Sequence, residues 1–228
     1  MQQLPSMSLV EAIQNRRSIR GFKKDQIEPS ILQEILTLAQ RSPSNCNVQP
    51  WQVLLASGSA CDELRTKLLS AFSTGQSMKA DFPTDLKFEG ILRTRQIECA
   101  QALYGAMGIE RHDKIGRAKA TARNYEFFGA PHVLFITMKK SFNEAIAVDI
   151  GIYAQTLMLV MTAYGIGSCA QASVAYYPDI IRDFFDLKED DGILFGISFG
   201  YEDKTIDANK TRTQRANIEE VVSQRPKA

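Results

Sequence analysis

Three arginines lie within five positions near the N-terminus, and a serine hydroxyl lies between them: Arg16, Arg17, Ser18 and Arg20. Like charges repel at this spacing unless an anion neutralises them. A guanidinium group presents planar, paired donors that match the oxygens of a phosphate. Cations also complement the negative end of a helix dipole. Taken alone, the stretch indicates either an anion site or a charged helix end.

The charge of the whole chain limits what these arginines can bind. The 228 residues include 27 Lys and Arg against 26 Asp and Glu, a formal net charge of +1. A duplex-binding domain normally has a broad basic face or a basic isoelectric point. The arginines therefore act locally, and we expect no nucleic acid partner.

Histidine and cysteine, the usual residues of metal sites and hydrolases, are scarce. The chain has two histidines, His112 and His132, and four cysteines without a C-x-x-C pair. Neither histidine has a second ligand at metal spacing, and a Ser-His or Cys-His hydrolase needs a histidine base. We therefore expect no metal, no catalytic side-chain nucleophile or base, and free thiols typical of a cytoplasmic protein.

No membrane or secretory segment is predicted. The N-terminal residues lack a basic region followed by an apolar one. The most apolar segment, 150–166, is short of a membrane span and contains Gln155. We expect a helix buried inside a cytoplasmic protein.

Helices and strands must hold the arginines in place. Ser8 and Glu11 form a capping box, which predicts a helix ending at about Arg16 or Arg17. Hydrophobic patterns predict further helices at 29–41, 60–72, 93–108, 149–165, 178–187 and 216–223, and strands at 51–57, 132–138, 167–173 and 192–200. Residues 73–125 give the weakest patterns. Strict βαβ alternation is absent, so we predict one α+β domain over residues 1–228.

One apparent nucleotide-binding motif is rejected. The stretch "GIGSCA", residues 165–170, matches G-x-G-x-x-A. That motif must follow a strand and open a helix, so that the helix N-terminus faces a pyrophosphate. Here a predicted helix precedes it and a predicted strand follows, so Gly165 is interpreted as a helix stop.

A second polar stretch changes the interpretation of the arginines. "RRSIRGF" is followed, after one amphipathic helix, by "SPSNCNVQPW", residues 42–51. Both motifs, their order and their separation resemble the nitroreductase family of flavin enzymes. Later stretches also resemble it, among them "FFGAPHVLF", "FGISFGYED" and "NKTRTQRANIEEVV". The resemblance covers nearly the whole chain except residues 73–125.

The resemblance implies a nitroreductase-like α+β fold, in which a central mixed β-sheet is flanked by helices. It also implies an intertwined homodimer with two identical sites at the interface, each holding one non-covalently bound FMN. The apolar helix then becomes a core or dimer-interface element.

Roles for the cationic residues follow from the same resemblance. Arg16, Ser18 and Arg212 are expected to bind the FMN phosphate, with Lys210 close by. Arg17 is expected along the phosphate and ribityl chain. Arg20 is expected nearer the pyrimidine end, where a positive charge favours the reduced flavin.

The resemblance also assigns the walls of the site. Pro43, Ser44 and Asn47 are expected to line it, at least one of them from the partner subunit. A backbone amide near Gln171 or Ala172 is expected to face flavin N5. Cys46 departs from the family pattern, so its role stays open.

The implied activity is ping-pong hydride transfer. NADH or NADPH reduces the flavin at N5, and a nitroaromatic or quinone acceptor then takes two electrons. Reductive dehalogenation, enone reduction or flavin destruction on the same scaffold are alternatives, and so is a non-catalytic flavin-binding protein. The segment 73–125, expected to be the substrate lid, distinguishes these branches.

Overall fold

The computed structural model describes residues 7–84 and 86–225. Its helices are α1 Leu9–Asn15, α2 Pro29–Ala39, α3 Ser59–Ser73, α4 Gly90–Ala106, α5 Lys114–Ala122, α6 Glu144–Ala163, α7 Pro178–Phe185 and α8 Ile218–Val221. Its strands are β1 Gln52–Ser57, β2 His132–Lys139, β3 Gly167–Gln171 and β4 Asp191–Gly200. The predicted α+β class is confirmed.

The four strands form one sheet in the order β1-β2-β4-β3, with every neighbouring pair antiparallel. Outside these strands, an isolated bridge pairs Ser18 with Ser168 of β3 in parallel orientation. This bridge fixes the arginine-bearing segment beside β3.

The core has one layer on each face of the sheet. Side chains alternate along a strand, so Val133 and Phe135 of β2 pack with α3 and α7. Leu134 and Ile136 point the other way and pack with α2 and α6. Because both faces are covered, β2 is buried along nearly its whole length.

Helix α6 begins earlier than predicted. The sequence pattern placed its start at Asp149, but the helix begins at Glu144, because the Oδ1 atom of Asn143 accepts a hydrogen bond from the Ala145 amide at 3.1 Å. Asp149 is instead buried within the helix. Gly165, with φ +71°, ends the helical region before β3, which confirms the rejection of a dinucleotide-binding motif.

By length and composition alone, α6 could cross a membrane. Within the fold, however, Ile150, Tyr153 and Leu157 lie fully inside the hydrophobic core. It is therefore the core helix of a globular domain. An outer stripe that includes Val148 and Ile152 remains exposed.

Candidate functional site

The arginine-bearing segment leaves α1 and runs in extended form along the sheet. The capping box of α1 forms as predicted, and the helix ends at Asn15. Ile19 is buried, and its amide donates to the Ser168 carbonyl at 2.9 Å. Because Ile19 is anchored inward, the charged neighbours on either side of it remain half-buried at the surface of the fold.

These neighbours line a cleft of about 620 Å³. Among the described residues, its walls include five arginines and no aspartate or glutamate: Arg16, Arg17, Arg20, Arg212 and Arg215. Ser18, Gln155, Thr211 and Thr213 add polar groups to the lining. A cleft with this lining is positively charged and favours an anion with several oxygen acceptors.

Arg16 and Arg17 differ in their partners. The Nη2 atom of Arg17 lies 2.6 Å from both carboxylate oxygens of Glu202, so this charge is neutralised within the protein. Within residues 7–84 and 86–225, the guanidinium group of Arg16 has no ion-pair or hydrogen-bond partner. Its charge is therefore available to a ligand.

The C-terminal side of the cleft is built by residues 207–215. Arg212 donates from Nη1 to the carbonyls of Asn209 and Thr211, both at 2.9 Å. The side chain of Asn209, which is 5% exposed, accepts from the Arg20 amide at 2.6 Å. The two ends of the chain are thereby held together at the cleft.

Strand β3 lies behind the arginine segment. Cys169 is buried there, and burial raises the pKa of its thiol, while the nearby charge of Arg20 opposes part of that shift. The thiol is therefore neutral at physiological pH. It contributes packing rather than charge.

The whole-chain comparison agrees with this geometry. A model of the nitroreductase family matches residues 13–201, most of the chain, and includes the arginine segment and all four strands. The chain belongs to the nitroreductase family.

Individual members of the family are similar over nearly full length. The nitroreductase NfnB of Mycolicibacterium smegmatis (strain ATCC 700084 / mc(2)155) is 38% identical over 221 residues, which cover 95% of this chain and 94% of that protein. The 4-nitrobenzoate reductase of Pseudomonas putida is 32% identical over 204 residues, 89% of each chain.

Among solved structures, the FMN-dependent nitroreductase NfnB from Mycobacterium smegmatis in complex with NADPH superposes with a TM-score of 0.91 at 37% identity. The match covers 96% of this chain and 100% of that structure. The fold is thus the nitroreductase fold.

Several predicted site residues of this nitroreductase-family chain are not among the described residues that line the cleft of one protomer. Lys210 is exposed, and its Nζ atom donates to Asp207 at 2.5 Å. Pro43, Ser44 and Asn47 belong to a surface loop that is tied to α6, since the Asn45 amide donates to Asp149 at 3.1 Å. Their predicted roles at the cofactor are therefore not tested by the lining of this cleft.

The end of β3 carries the remaining predicted residues. Gln171 is buried; its Nε2 donates to the Asn124 carbonyl at 2.9 Å, and its Oε1 accepts from the Ser198 hydroxyl. Ala172 is exposed just beyond the strand. The Gln171 side chain is thus a structural link between β3, β4 and the turn after α5.

Sequence reasoning missed Arg215 and Asn209. Arg215 is three positions after Arg212 in the same polar tail, so the charge pattern of "TRTQR" was a usable signal. Asn209 gives no such signal, because its role depends on contact with residues at the other end of the chain.

Proposed function

We propose that this protein is an FMN-dependent NAD(P)H oxidoreductase that reduces nitroaromatic or quinone-type acceptors. The observation that carries the proposal is the cleft whose lining, among the described residues, contains five arginines and no carboxylate. Further support comes from relatives described as a nitroreductase and a 4-nitrobenzoate reductase, and from a structural neighbour described as FMN-dependent and complexed with NADPH.

The residues present fit the phosphate end of FMN. Arg16 supplies an unpaired guanidinium, Ser18 a hydroxyl, and Arg212 a second cation from the opposite side of the cleft. A phosphate between them would neutralise charges that otherwise repel one another. We assign the phosphate to these three residues and add Arg215 as a nearby cation. Arg17 contributes less, because Glu202 already pairs with it. Lys210, Gln171 and Ala172 remain predictions.

Bound FMN supplies the two-electron chemistry between NAD(P)H and a flat, electron-poor acceptor. The Asn209 contact holds the backbone of Arg20 beside the cleft, and the positive charge of its side chain would stabilise negative charge at the pyrimidine end of a bound ring. The residues of the cleft thus bind and orient, and none is required as a nucleophile. In the part of the chain that the structure describes, no group of three or more His, Cys, Asp or Glu is placed to hold a metal.

We also propose that the protein is a cytoplasmic homodimer with two FMN sites at its interface. Exposed apolar residues on α1 and on the outer stripe of α6 support this assembly: Leu9, Val10, Ile13, Val148 and Ile152. Helices α1 and α6 pack against each other, and exposed apolar side chains on neighbouring helices are typical of a surface that another chain covers. In the dimer, Pro43, Ser44 and Asn47 of one subunit complete the site of the other.

The dimer is tested by Val148→Glu with Ile152→Glu, measured by light scattering. We expect a monomer that has lost FMN affinity, since the site then lacks the partner's loop. Ile115→Glu is the matched control, because Ile115 is 72% exposed and lies on α5, away from the stripe. A double variant that remains dimeric would contradict the proposed interface.

The phosphate assignment is tested by comparing FMN with riboflavin, which lacks the phosphate. The wild-type protein should bind FMN at least about tenfold more tightly than riboflavin, since a charge-assisted hydrogen bond contributes about 1.5–3 kcal/mol. Arg16→Ala should remove most of that discrimination, while Arg41→Ala, an exposed arginine outside the cleft, should preserve it. Equal discrimination in wild type and Arg16→Ala would overturn the assignment.

The acceptor class is tested by turnover with matched panels of nitroaromatic compounds, quinones and halophenols. We expect NAD(P)H oxidation with the first two panels. Activity confined to halophenols would replace the proposed acceptor class with dehalogenation.

A further inference from the structure

A second, smaller pocket adjoins the arginine cleft. It has a volume of about 170 Å³ and shares Arg20 and Leu103 with the larger cleft. Helix α4, helix α5 and the turn after α5 form its other walls. This inference rests on the proposed function, because it concerns what is bound beside the cofactor.

The pocket is suited to one aromatic ring. Its walls include four large apolar or aromatic side chains, namely Leu103, Tyr104, Met107 and Phe128. A cavity of about 150 Å³ lined by apolar side chains is sufficient to hold a benzene molecule. The pocket is therefore large enough for a single aromatic ring.

Arg123 gives this pocket an unusual polar feature. Its Nε atom is buried and, within the described chain, has no hydrogen-bond partner, while its Nη2 donates to the Phe128 carbonyl at a long 3.3 Å. Among the described residues, none forms an ion pair with Arg123, and no aspartate or glutamate lines the pocket. The guanidinium group therefore lines the pocket without a carboxylate to balance its charge, and a ligand carboxylate in the pocket would supply that partner.

The backbone beside Arg123 is strained. Phe127 and Phe128 have φ values of +52° and +54°, which bulky side chains rarely adopt. The Phe128 amide donates to the Arg123 carbonyl at 2.9 Å, and Arg65 donates from Nε to the Glu126 carbonyl at 2.9 Å. Strain held in this way is common at ligand sites. Here it places the Phe128 ring against the same pocket that Arg123 lines.

We propose that this pocket binds the aromatic ring of the electron acceptor and that Arg123 selects acceptors carrying a carboxylate. The preferred substrate class is then a single-ring nitroaromatic carboxylate rather than a neutral nitroaromatic compound. Arg123 acts as a specificity-determining residue, and Arg20, shared by both pockets, keeps the acceptor next to the cofactor.

The test compares 4-nitrobenzoate with 4-nitrobenzamide, which has nearly the same shape but no charge. The measured quantity is the ratio of the two kcat/KM values. Wild type should favour 4-nitrobenzoate. Arg123→Gln should lower the ratio about tenfold, mainly because the carboxylate substrate binds more weakly and its KM rises, as expected for a lost charge-assisted contact. Arg123→Lys, which keeps the charge, should retain part of the preference.

Arg111→Gln is the matched control, because it removes one positive charge from the segment before α5 without touching the pocket. Its ratio should stay within about twofold of wild type. A merely structural effect of Arg123→Gln would lower both kcat/KM values together and leave the ratio unchanged. That result, or a wild-type preference for 4-nitrobenzamide, would overturn the inference.

A binding measurement separates this inference from the proposed function. Calorimetry should detect benzoate but not benzamide binding to wild type, and Arg123→Gln should lose the benzoate signal. Absence of both FMN binding and NAD(P)H oxidation would refute the proposed function. Retained FMN binding and turnover, with benzoate and benzamide bound equally, would refute the role of Arg123 alone.

Discussion

The Oδ1 atom of Asn209 accepts a hydrogen bond from the backbone amide of Arg20 at 2.6 Å, although the two residues are 189 positions apart. The Nδ2 atom of the same side chain donates to the Gly21 carbonyl at 2.9 Å and the Asp203 carbonyl at 2.8 Å. Its backbone carbonyl accepts from Arg212. One buried asparagine therefore connects the two arginine-bearing segments.

Asn209→Ala should destabilise the protein by about 3 kcal/mol, because it leaves the Arg20 amide and the Gly21 carbonyl without these partners in a buried site. It should also weaken FMN binding by more than about tenfold, by releasing the two halves of the cleft. Urea unfolding and FMN titration measure the two effects. Asn217→Ala, which removes only an exposed helix cap, should cost about 1 kcal/mol and leave FMN affinity unchanged. Wild-type FMN affinity in Asn209→Ala would contradict the connecting role.

Gly21→Ala tests the same junction by steric means. A Cβ atom at Gly21 would lie 2.5 Å from the Cβ of Ile206, an atom fixed by the backbone. The two segments must therefore separate, and we expect a loss of about 1–3 kcal/mol in stability together with weaker FMN binding. Gly105→Ala is the control, since nothing among the described residues lies within 4 Å of its added Cβ and alanine favours the surrounding helix. If both glycine variants unfolded at the same urea concentration, close packing at Gly21 would have no energetic role.

Asp81 anchors the segment between α3 and α4. Its carboxylate lies 3.0 Å from both Arg182 Nη2 and Lys140 Nζ, and it accepts from the Ile193 amide at 2.9 Å. Asp81→Ala leaves the largely buried Arg182 without this partner and should cost about 3 kcal/mol. Glu63→Ala, which breaks an exposed pair with Lys67, should cost at most about 0.5 kcal/mol. Chemical denaturation compares the two variants, and similar losses would contradict an anchoring role for Asp81.

His132 makes stability depend on pH. Its Nε2 accepts from the Ile27 amide at 3.0 Å, so the proton is on Nδ1, which donates to the Ser57 hydroxyl at 2.7 Å. Burial lowers the pKa of His132 from 6.5 to about 4. The unfolded chain therefore binds a proton below about pH 6.5, whereas the folded protein stays neutral at this site until about pH 4.

This stabilisation is fully present above about pH 6.5 and is lost as the pH falls towards about 4, up to about 3 kcal/mol. Urea unfolding at about pH 7.5, 6 and 5 should show the decline in wild type. His132→Gln should give a flatter dependence, although its stability at neutral pH is lower. Parallel pH profiles for the two proteins would exclude His132 as the source.

Much of the fold followed from local patterns. The capping box of α1, the glycine that ends α6 and the strand β2 are each specified by a few neighbouring residues, and each formed as predicted. The start of α6 was misplaced because Asp149 is a good cap by type, yet Asn143 occupies that position. Helix α5 was not predicted, since it is short and Ile115 is the one large apolar residue in its sequence.

The functional site was harder to predict from the sequence than the fold was. One cleft is lined by Arg16, Ser18, Arg20 and Arg212. The density of charge in these stretches had already marked them in the sequence. The roles of Asn209 and Arg123 depend on contacts between distant segments, which no local pattern specifies. The loop with Ser44 is not part of the described lining of the cleft, so its proposed contribution depends on the proposed dimer.

The central claim is most directly tested by the absorption spectrum of the purified protein after reconstitution with FMN and removal of free FMN. We predict a flavin spectrum that NADH or NADPH bleaches under anaerobic conditions and that a nitroaromatic acceptor restores. A protein that retains no flavin absorption, or whose flavin spectrum neither NADH nor NADPH changes, would contradict the account.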